Sequence, residues 1–219
     1  NLGNILRDLG NFKDAEISLR KAIELKPNFA EAYSNLGFLI RILGDLNQGE
    51  AYIRKAIEIN PKLAIAYSNL ASILKDKGNL IEAEKILLKS LSLNDRLASA
   101  YFILSTIKGS QLSEKVLENI FSDQLYDFQD NTGKVNICFA RSNVAHSNKN
   151  FELSSKVLLL GNKIQNSIDF LNTTSEIICK TNKLLNYTKE TNKVTHSNSN
   201  SNKFIFLVGM FRSGSTLAE

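Results

Sequence analysis

The sequence contains few of the residues that build disulfide-rich or zinc-stabilised proteins, since only two cysteines and two histidines occur among its 219 residues. Two cysteines cannot form a disulfide framework, and a four-ligand zinc site would need more histidines than these. Cys138 and Cys179 lie in helical patterns and are predicted to be small buried hydrophobic residues. His146 and His196 have no Cys, Asp or His partner at ligand spacing, so we predict no metal site and no nucleophilic triad.

Proline and long apolar runs are also scarce. Two prolines and eleven glycines, with many Leu, Ile, Ala and Lys residues, favour helices over a β-sandwich. The hydrophobic fraction of 43% excludes a disordered polyelectrolyte. The longest apolar run, Phe204–Met210, is too short to cross a bilayer, so we predict no membrane association. The few cysteines make a reduced, cytoplasmic location the expectation, and a start at Asn1 rather than Met leads us to expect a fragment.

The excess of positive charge is small and dispersed. The chain carries 27 Lys and Arg residues against 22 Asp and Glu residues, a formal net charge of +5. No segment holds the dense basic stripe that nucleic-acid binding requires. We therefore predict no nucleic-acid partner.

One pattern recurs in the first half of the chain with a period of 34 residues. The residues that recur are Leu2, Leu36, Leu70 and Leu104, then Gly10, Gly44 and Gly78, then Pro27 and Pro61. The pentapeptide Ala-Tyr-Ser-Asn-Leu occurs at 32–36 and again at 66–70. This period, with Tyr33, Leu36, Gly37, Ala56 and Pro61 in place, resembles the tetratricopeptide repeat. The resemblance implies an all-α solenoid of stacked antiparallel helix pairs.

Small residues stand where the two helices of each repeat must approach closely. The predicted contact positions are Ala15, Gly37, Gly49, Ala71 and Ala83. Gly44 and Gly78 are predicted to end the first helix of their repeats in a left-handed cap, which needs no Cβ. Pro27 and Pro61 are predicted to fix the turn into the next repeat. The recurring Tyr33, Tyr67 and Tyr101 are predicted to pack between helices rather than to contact a ligand.

The period divides the chain into segments. Residues 1–29 form a partial first repeat, 30–63 and 64–97 are complete repeats, and 98–107 begin a degenerate fourth, so that the repeat array spans 1–107. Residues 108–190 form a divergent helical region, with a short amphipathic helix at 111–122 and apolar periodicity from Ile168 to Leu185. In this region Ser142 and Ser154 take the small positions of a repeat-like pair. Residues 191–203 have almost no aliphatic side chains and are predicted to be a polar linker.

Three asparagines occupy the same position of successive repeats and are predicted to form a row on the first helices: Asn1, Asn35 and Asn69. A side-chain amide both donates and accepts hydrogen bonds, so such a row could hold an extended peptide or protein in a groove. The Ala-Tyr-Ser-Asn-Leu segments resemble the repeats of O-linked N-acetylglucosamine transferase. This resemblance implies that the asparagine row holds an extended substrate. The alternative is that the asparagines only bond neighbouring helices and keep them in register.

The end of the sequence reads as a buried strand followed by a small-residue turn and a helix start. Phe204–Met210 is the strand, and 211–216 reads Phe-Arg-Ser-Gly-Ser-Thr. That arrangement cradles phosphate, because backbone N–H groups and the helix dipole converge on an anion. Compared with the nucleotide triphosphatase loop, a serine stands at the lysine position, which argues against triphosphate hydrolysis. Thr216 and Glu219 have the spacing of a capping box, a more ordinary role for Glu219 than catalytic base.

The segment Val208–Leu217 resembles the 5′-phosphosulfate loop of sulfotransferases, with Phe211 where that family has proline. A tetratricopeptide array leading into this loop resembles repeat-containing sulfotransferases related to the protein-tyrosine sulfotransferases. The resemblance implies that residues 204–219 begin an incomplete α/β sulfotransferase domain, truncated just after the loop. It also implies a co-substrate, 3′-phosphoadenosine-5′-phosphosulfate (PAPS), held by Arg212, Ser213, Gly214, Ser215 and Thr216.

Two functions of different classes follow from these patterns. The first is the N-terminal part of a PAPS-dependent sulfotransferase whose array binds a protein or other acceptor. In that case the base and the acceptor pocket would lie beyond Glu219, the catalytic residues are unknown, and this piece alone is expected to be inactive. The alternative is a non-enzymatic tetratricopeptide scaffold for protein–protein interaction. A glycosyltransferase with a similar array is disfavoured, because its sugar-nucleotide motifs do not occur in the sequence.

The sulfotransferase hypothesis predicts that Arg212→Ala abolishes transfer of labelled sulfate from PAPS by the whole protein. The reason is that Arg212 supplies the cation of the predicted loop. Sulfate transfer that persists in the Arg212→Ala variant would contradict the assignment of this loop to PAPS binding.

Overall fold

The computed structural model describes residues 3, 6, 7, 10–108 and 111–169. These residues lie in one compact unit, Asn1–Glu176, and the other unit, Ile177–Glu219, lies outside the described residues. The described part is helical and contains no strand. The all-α prediction is therefore confirmed for it, whereas the predicted linker at 191–203 and the strand and loop at 204–219 lie outside.

Residues 3, 6 and 7 are helical, and ten further helices follow one another between residues 12 and 169. They are α1 (Phe12–Leu25), α2 (Ala30–Ile42), α3 (Leu46–Ile59), α4 (Ala64–Asp76), α5 (Leu80–Leu93), α6 (Ala98–Lys108), α7 (Glu114–Phe121), α8 (Asp123–Phe128), α9 (Asn131–Ser147) and α10 (151–169). Helices α2 with α3 and α4 with α5 form the predicted pairs of the repeats at 30–63 and 64–97. We call the leading helix of each pair its first helix and the other its second helix.

The helices begin and end at the residues that the repeat predicts. The side chains of Asn11 and Asp45 cap α1 and α3 by accepting hydrogen bonds from the backbone N–H of the third helical residue. Gly10, Gly44 and Gly78 have φ values of +74°, +98° and +82°, which confirms the predicted left-handed caps.

The small residues bring the backbones of each helix pair into contact. A Cβ built on Gly37 would lie 2.6 Å from the carbonyl oxygen of Gly49, and a Cβ on Gly49 would lie 2.8 Å from the carbonyl oxygen of Gly37. Ala71 and Ala83 take the same places in the next repeat and are fully buried. The predicted close contacts are therefore confirmed, and they set the distance between the helices of a pair.

The divergent region contains a further helix pair built in the same way. The hydroxyls of Ser142 on α9 and Ser154 on α10 lie 3.0 Å apart and are buried. Each also donates to the backbone carbonyl of the other residue at 3.1 Å. These bonds confirm the prediction that Ser142 and Ser154 occupy the small positions of a repeat-like pair, since polar contacts there replace the glycine contacts.

Helix α6 departs from the repeat because it packs along α9 rather than along the helix that follows it in sequence. The predicted helix at 111–122 is present as α7, and the adjoining α8 was not predicted. Arg141 of α9 holds these two short helices by donating to the carbonyl oxygens of Ile120 at 2.8 Å and Ser122 at 2.9 Å. An unpaired carbonyl at a helix end needs such a donor.

One continuous hydrophobic core runs from Ile53 to Val144, and a smaller cluster around Leu19, Leu36 and Leu39 closes the amino-terminal end. The main core includes Leu112, Val116, Ile120 and Leu125 of the divergent region. The described part of that region, 111–169, therefore belongs to the same compact unit as the repeats.

Substitution of Gly37 by alanine is expected to destabilise the fold by about 1–3 kcal/mol, because the added methyl group meets a backbone oxygen that cannot rotate away. Chemical denaturation with urea measures the change. Gly44→Ala is the control: its Cβ meets nothing within 4 Å, so it should cost only the strain of its positive φ, about 1 kcal/mol. If Gly37→Ala cost no more than the control, the helices would not be held at contact distance.

Candidate protein-binding face

The first helices lie side by side along the array. Helix α4 contacts both α2 and α6, and α6 contacts α9, whereas each second helix packs mainly against first helices. Neighbouring first helices therefore form one continuous side of the array. We call the surface that α2, α4, α6 and α9 present on this side the first-helix face.

Among the described residues, three hydrogen bonds between uncharged side chains join neighbouring first helices. Asn69 of α4 donates to the hydroxyl of Ser34 on α2 at 3.0 Å. The hydroxyls of Ser68 on α4 and Ser99 on α6 lie 3.2 Å apart. Asn143 of α9 donates to the hydroxyl of Ser105 on α6 at 3.0 Å. Such buried or half-buried polar contacts hold the helices in one register, since sliding either helix would leave a polar group unpaired.

The described asparagines of the predicted row differ in their environments. Asn69 is only 8% exposed and its amide already bonds Ser34, as the register alternative expects. Asn35 is half-buried, and its amide has no hydrogen-bond partner among the described residues. Asn1 lies outside those residues. Asn35 is therefore the described member of the row whose amide is open to a ligand, and the binding role of the row remains a prediction.

A cationic and aromatic cluster lies beside Asn35, one helical turn further along α2. The guanidinium carbons of Arg7 and Arg41 lie 5.2 Å and 5.6 Å from the ring centre of Phe38. Arg41 also forms an ion pair with Asp76 of α4 at 2.7 Å. The pair links two repeats and offsets the charge of Arg41.

Ion pairs also join the ends of first helices to the second helices of the preceding repeats. Lys77 donates to the carboxylate of Glu50 at 2.6 Å and to the side-chain carbonyl of Asn47 at 2.8 Å. The bond from Lys77, with a further bond from Arg54, lowers the pKa of Glu50 below its ordinary value. Lys108 pairs with Glu84 in the same way at the next junction, at 3.1 Å.

The recurring tyrosines are structural, as predicted. The hydroxyl of Tyr67 donates to the carbonyl of Pro61 at 3.0 Å, and that of Tyr101 donates to the carbonyl of Asp95 at 2.8 Å. Each bond ties the first helix to the turn six residues earlier. Tyr33 packs against Tyr52 with ring centres 6.3 Å apart. All three contacts hold the repeat together rather than offering a ligand site.

The described cysteine and histidine are Cys138 and His146. Cys138 is buried as predicted, and burial raises the pKa of its thiol, so the reactive thiolate is disfavoured. His146 is exposed and packs edge-on against Phe151 at 5.3 Å. Nowhere in the described part of the chain do three or more His, Cys, Asp or Glu side chains converge as metal ligands would. None of the described helices has the length and apolar character needed to span a bilayer.

The predicted PAPS-binding residues Arg212, Ser213, Gly214, Ser215 and Thr216 lie outside the described residues, as do Cys179 and His196. The sequence patterns did not identify Phe38 or the Ser34 contact as features of the face. One signal could have found two of the cross-helix pairs. Ser34 with Asn69 and Arg41 with Asp76 are both separated by 35 residues, the repeat period plus one.

The two asparagines are expected to differ in their effect on stability. Asn69→Ala should lower the free energy of unfolding by about 1–2 kcal/mol, because it leaves the buried Ser34 hydroxyl without its donor. Asn35→Ala breaks no hydrogen bond to a described residue, so it should change the free energy of unfolding by less than about 0.5 kcal/mol. Urea denaturation of both variants measures the difference. Equal losses would mean that Asn35 also has a structural partner.

Comparison with known proteins agrees with the helix pairs described above. Models of the tetratricopeptide repeat match residues 30–63 and 52–85, and a model described as a TPR repeat matches residues 3–40. No curated protein sequence matches the chain significantly.

Among solved structures, PilF of Pseudomonas aeruginosa is 17% identical with a TM-score of 0.56, covering 88% of this chain and 94% of its own. MamA is 19% identical with a TM-score of 0.50, covering 77% of this chain and 97% of its own. At these identities the likeness extends to the fold alone, and the model matches show that residues 3–85 consist of tetratricopeptide repeats.

Proposed function

We propose that this chain is a protein-interaction scaffold that binds an extended segment of a partner protein along the first-helix face. The observation that carries the proposal is the half-buried amide of Asn35, which has no partner among the described residues. A polar group held at a half-buried position gains free energy when a ligand satisfies it. The tetratricopeptide repeats of residues 3–85 support the proposal, since such repeats commonly bind protein partners.

The side chains around Asn35 suit a peptide ligand. The amide can donate to a peptide carbonyl and accept from a peptide N–H, which fixes an extended main chain without selecting its side chains. The half-buried Phe38 lies one turn away, and the guanidinium groups of Arg7 and Arg41 lie near its ring. Because Asp76 pairs with Arg41, the cluster favours a mixed apolar and polar segment over a strongly acidic one.

A second candidate function rests on the sequence of Val208–Leu217. Its resemblance to the 5′-phosphosulfate loop supports a PAPS-dependent sulfotransferase as the whole protein, with Arg212 to Thr216 holding the co-substrate. In that arrangement the array would recruit the protein that accepts the sulfuryl group. The scaffold proposal does not depend on this, because the same face would bind the partner in either case.

Peptides selected from a random library against the whole chain test the proposal. Asn35→Ala should lower the affinity of the chain for the selected peptides about tenfold, because the substitution removes the two hydrogen bonds of the amide. Isothermal titration calorimetry measures the affinity, and urea denaturation checks that the variant is folded.

The matched control is Lys55→Ala on the second helix α3, where the side chain is exposed and pairs with Glu58. It should leave peptide affinity unchanged. Selected peptides that bind equally well to Asn35→Ala and lose affinity on second-helix substitutions would contradict the proposed face.

A further inference from the structure

Three basic residues recur at one position of the repeat. Arg7, Arg41 and Lys75 follow one another at intervals of 34 residues. Arg41 and Lys75 stand in the last turns of the first helices α2 and α4. The carbonyl end of a helix favours a cation, which explains why a basic residue suits this position. That end supplies only about half of an elementary charge, so the cation still gains from a full negative charge nearby.

The three cations differ in what surrounds them. Arg41 forms its ion pair with Asp76 at 2.7 Å, and Arg7 lies near the ring of Phe38. Lys75 is half-buried, and its ammonium group has no hydrogen-bond or ion-pair partner in the part of the chain that the structure describes. Lys75 therefore keeps a charge that a ligand can satisfy.

The repeat explains why Lys75 lacks the partner that Arg41 has. Arg41 and Asp76 are separated by 35 residues, the repeat period plus one. The residue that follows Lys75 at the same separation is Ser110, which has no charge. The acid that neutralises the cation between α2 and α4 thus has no equivalent in the sequence at the next junction. A half-buried ammonium group attracts a carboxylate more strongly than a fully exposed one, because less water screens the two charges.

We propose that Lys75 binds the carboxylate of one acidic side chain, Asp or Glu, in the partner segment that Asn35 holds. This inference rests on the proposed function of the first-helix face. It adds a selection for side-chain charge, which the main-chain contacts of the Asn35 amide do not make. Because Asp76 already neutralises Arg41, the segment needs a single acidic residue and not an acidic tract.

The geometry of the first helices sets the place of this acid in the segment. Lys75 lies six residues after Asn69, the equivalent of Asn35 in its own repeat. Six residues correspond to about 9 Å along a helix. Helix α4 packs beside α2, and axes of packed helices are about 8–10 Å apart. Asn35 and Lys75 are therefore about 13 Å apart, a distance that an extended chain spans in about four residues.

Peptides selected against the whole 219-residue chain test the proposal, and Asp or Glu should be enriched at one position among them. One selected peptide is then made with Glu and with Gln at that position. Lys75→Gln should lower the affinity for the Glu peptide about fivefold at low ionic strength, because the ion pair is lost. The same variant should leave the affinity for the Gln peptide unchanged. Isothermal titration calorimetry measures all of these affinities.

The matched control is Lys89→Gln, which removes the same charge from an exposed position on the second helix α5. It should change neither affinity. Lys75→Arg keeps the charge, so it should retain the preference for the Glu peptide. Urea denaturation checks that each variant is folded, and a purely structural role of Lys75 at the helix end would change stability without changing the preference.

The outcomes separate this inference from the proposed function. Selected peptides without an enriched acid, or a preference for the Glu peptide that Lys75→Gln leaves intact, would overturn the role of Lys75. If Asn35→Ala weakened both peptides in that case, the first-helix face would stand and only the charge selection would fall. If Asn35→Ala weakened neither peptide, the face itself would be wrong and the inference would fall with it.

Discussion

Backbone contact between the two helices of each pair is the constraint on which the rest of this structure depends. The carbonyl oxygens of Gly37 and Gly49 lie where a Cβ on the other residue would clash. In the next repeat Ala71 and Ala83 take the same places with the smallest side chain that has a Cβ, and both are fully buried. Only at this distance can residues such as Ile53 be fully buried between a helix pair and the next first helix. The stacking of pairs, and with it the continuous core, follows from this spacing.

Polar bonds between first helices add register to this packing. Apolar contacts alone tolerate small sliding movements, whereas the bonds of Ser34 with Asn69 and of Ser105 with Asn143 are lost when one helix moves by a few ångströms. They hold α2, α4, α6 and α9 as one surface. A ligand segment longer than one repeat needs such a surface, because its contacts on different helices must be in place together.

The divergent region shows how one architecture accepts different chemistry. Ser142 and Ser154 replace a glycine contact with reciprocal hydrogen bonds, and α9 takes the position beside α6. The two short helices between them are held by Arg141. The helix pair is thus recognisable by its geometry where the 34-residue period has ended.

The sequence by itself determined the helix pairs, their boundaries and their caps, because these depend on local requirements. A positive φ at Gly44 and a close contact at Gly37 restrict the residue type at one position, and the restriction recurs with the period. The tertiary structure alone decided which helix packs beside α6 and which amide of the asparagine row is already bonded. Each of these depends on contacts between residues that are distant in the chain, such as Asn69 with Ser34, and no single position in the sequence carries that information.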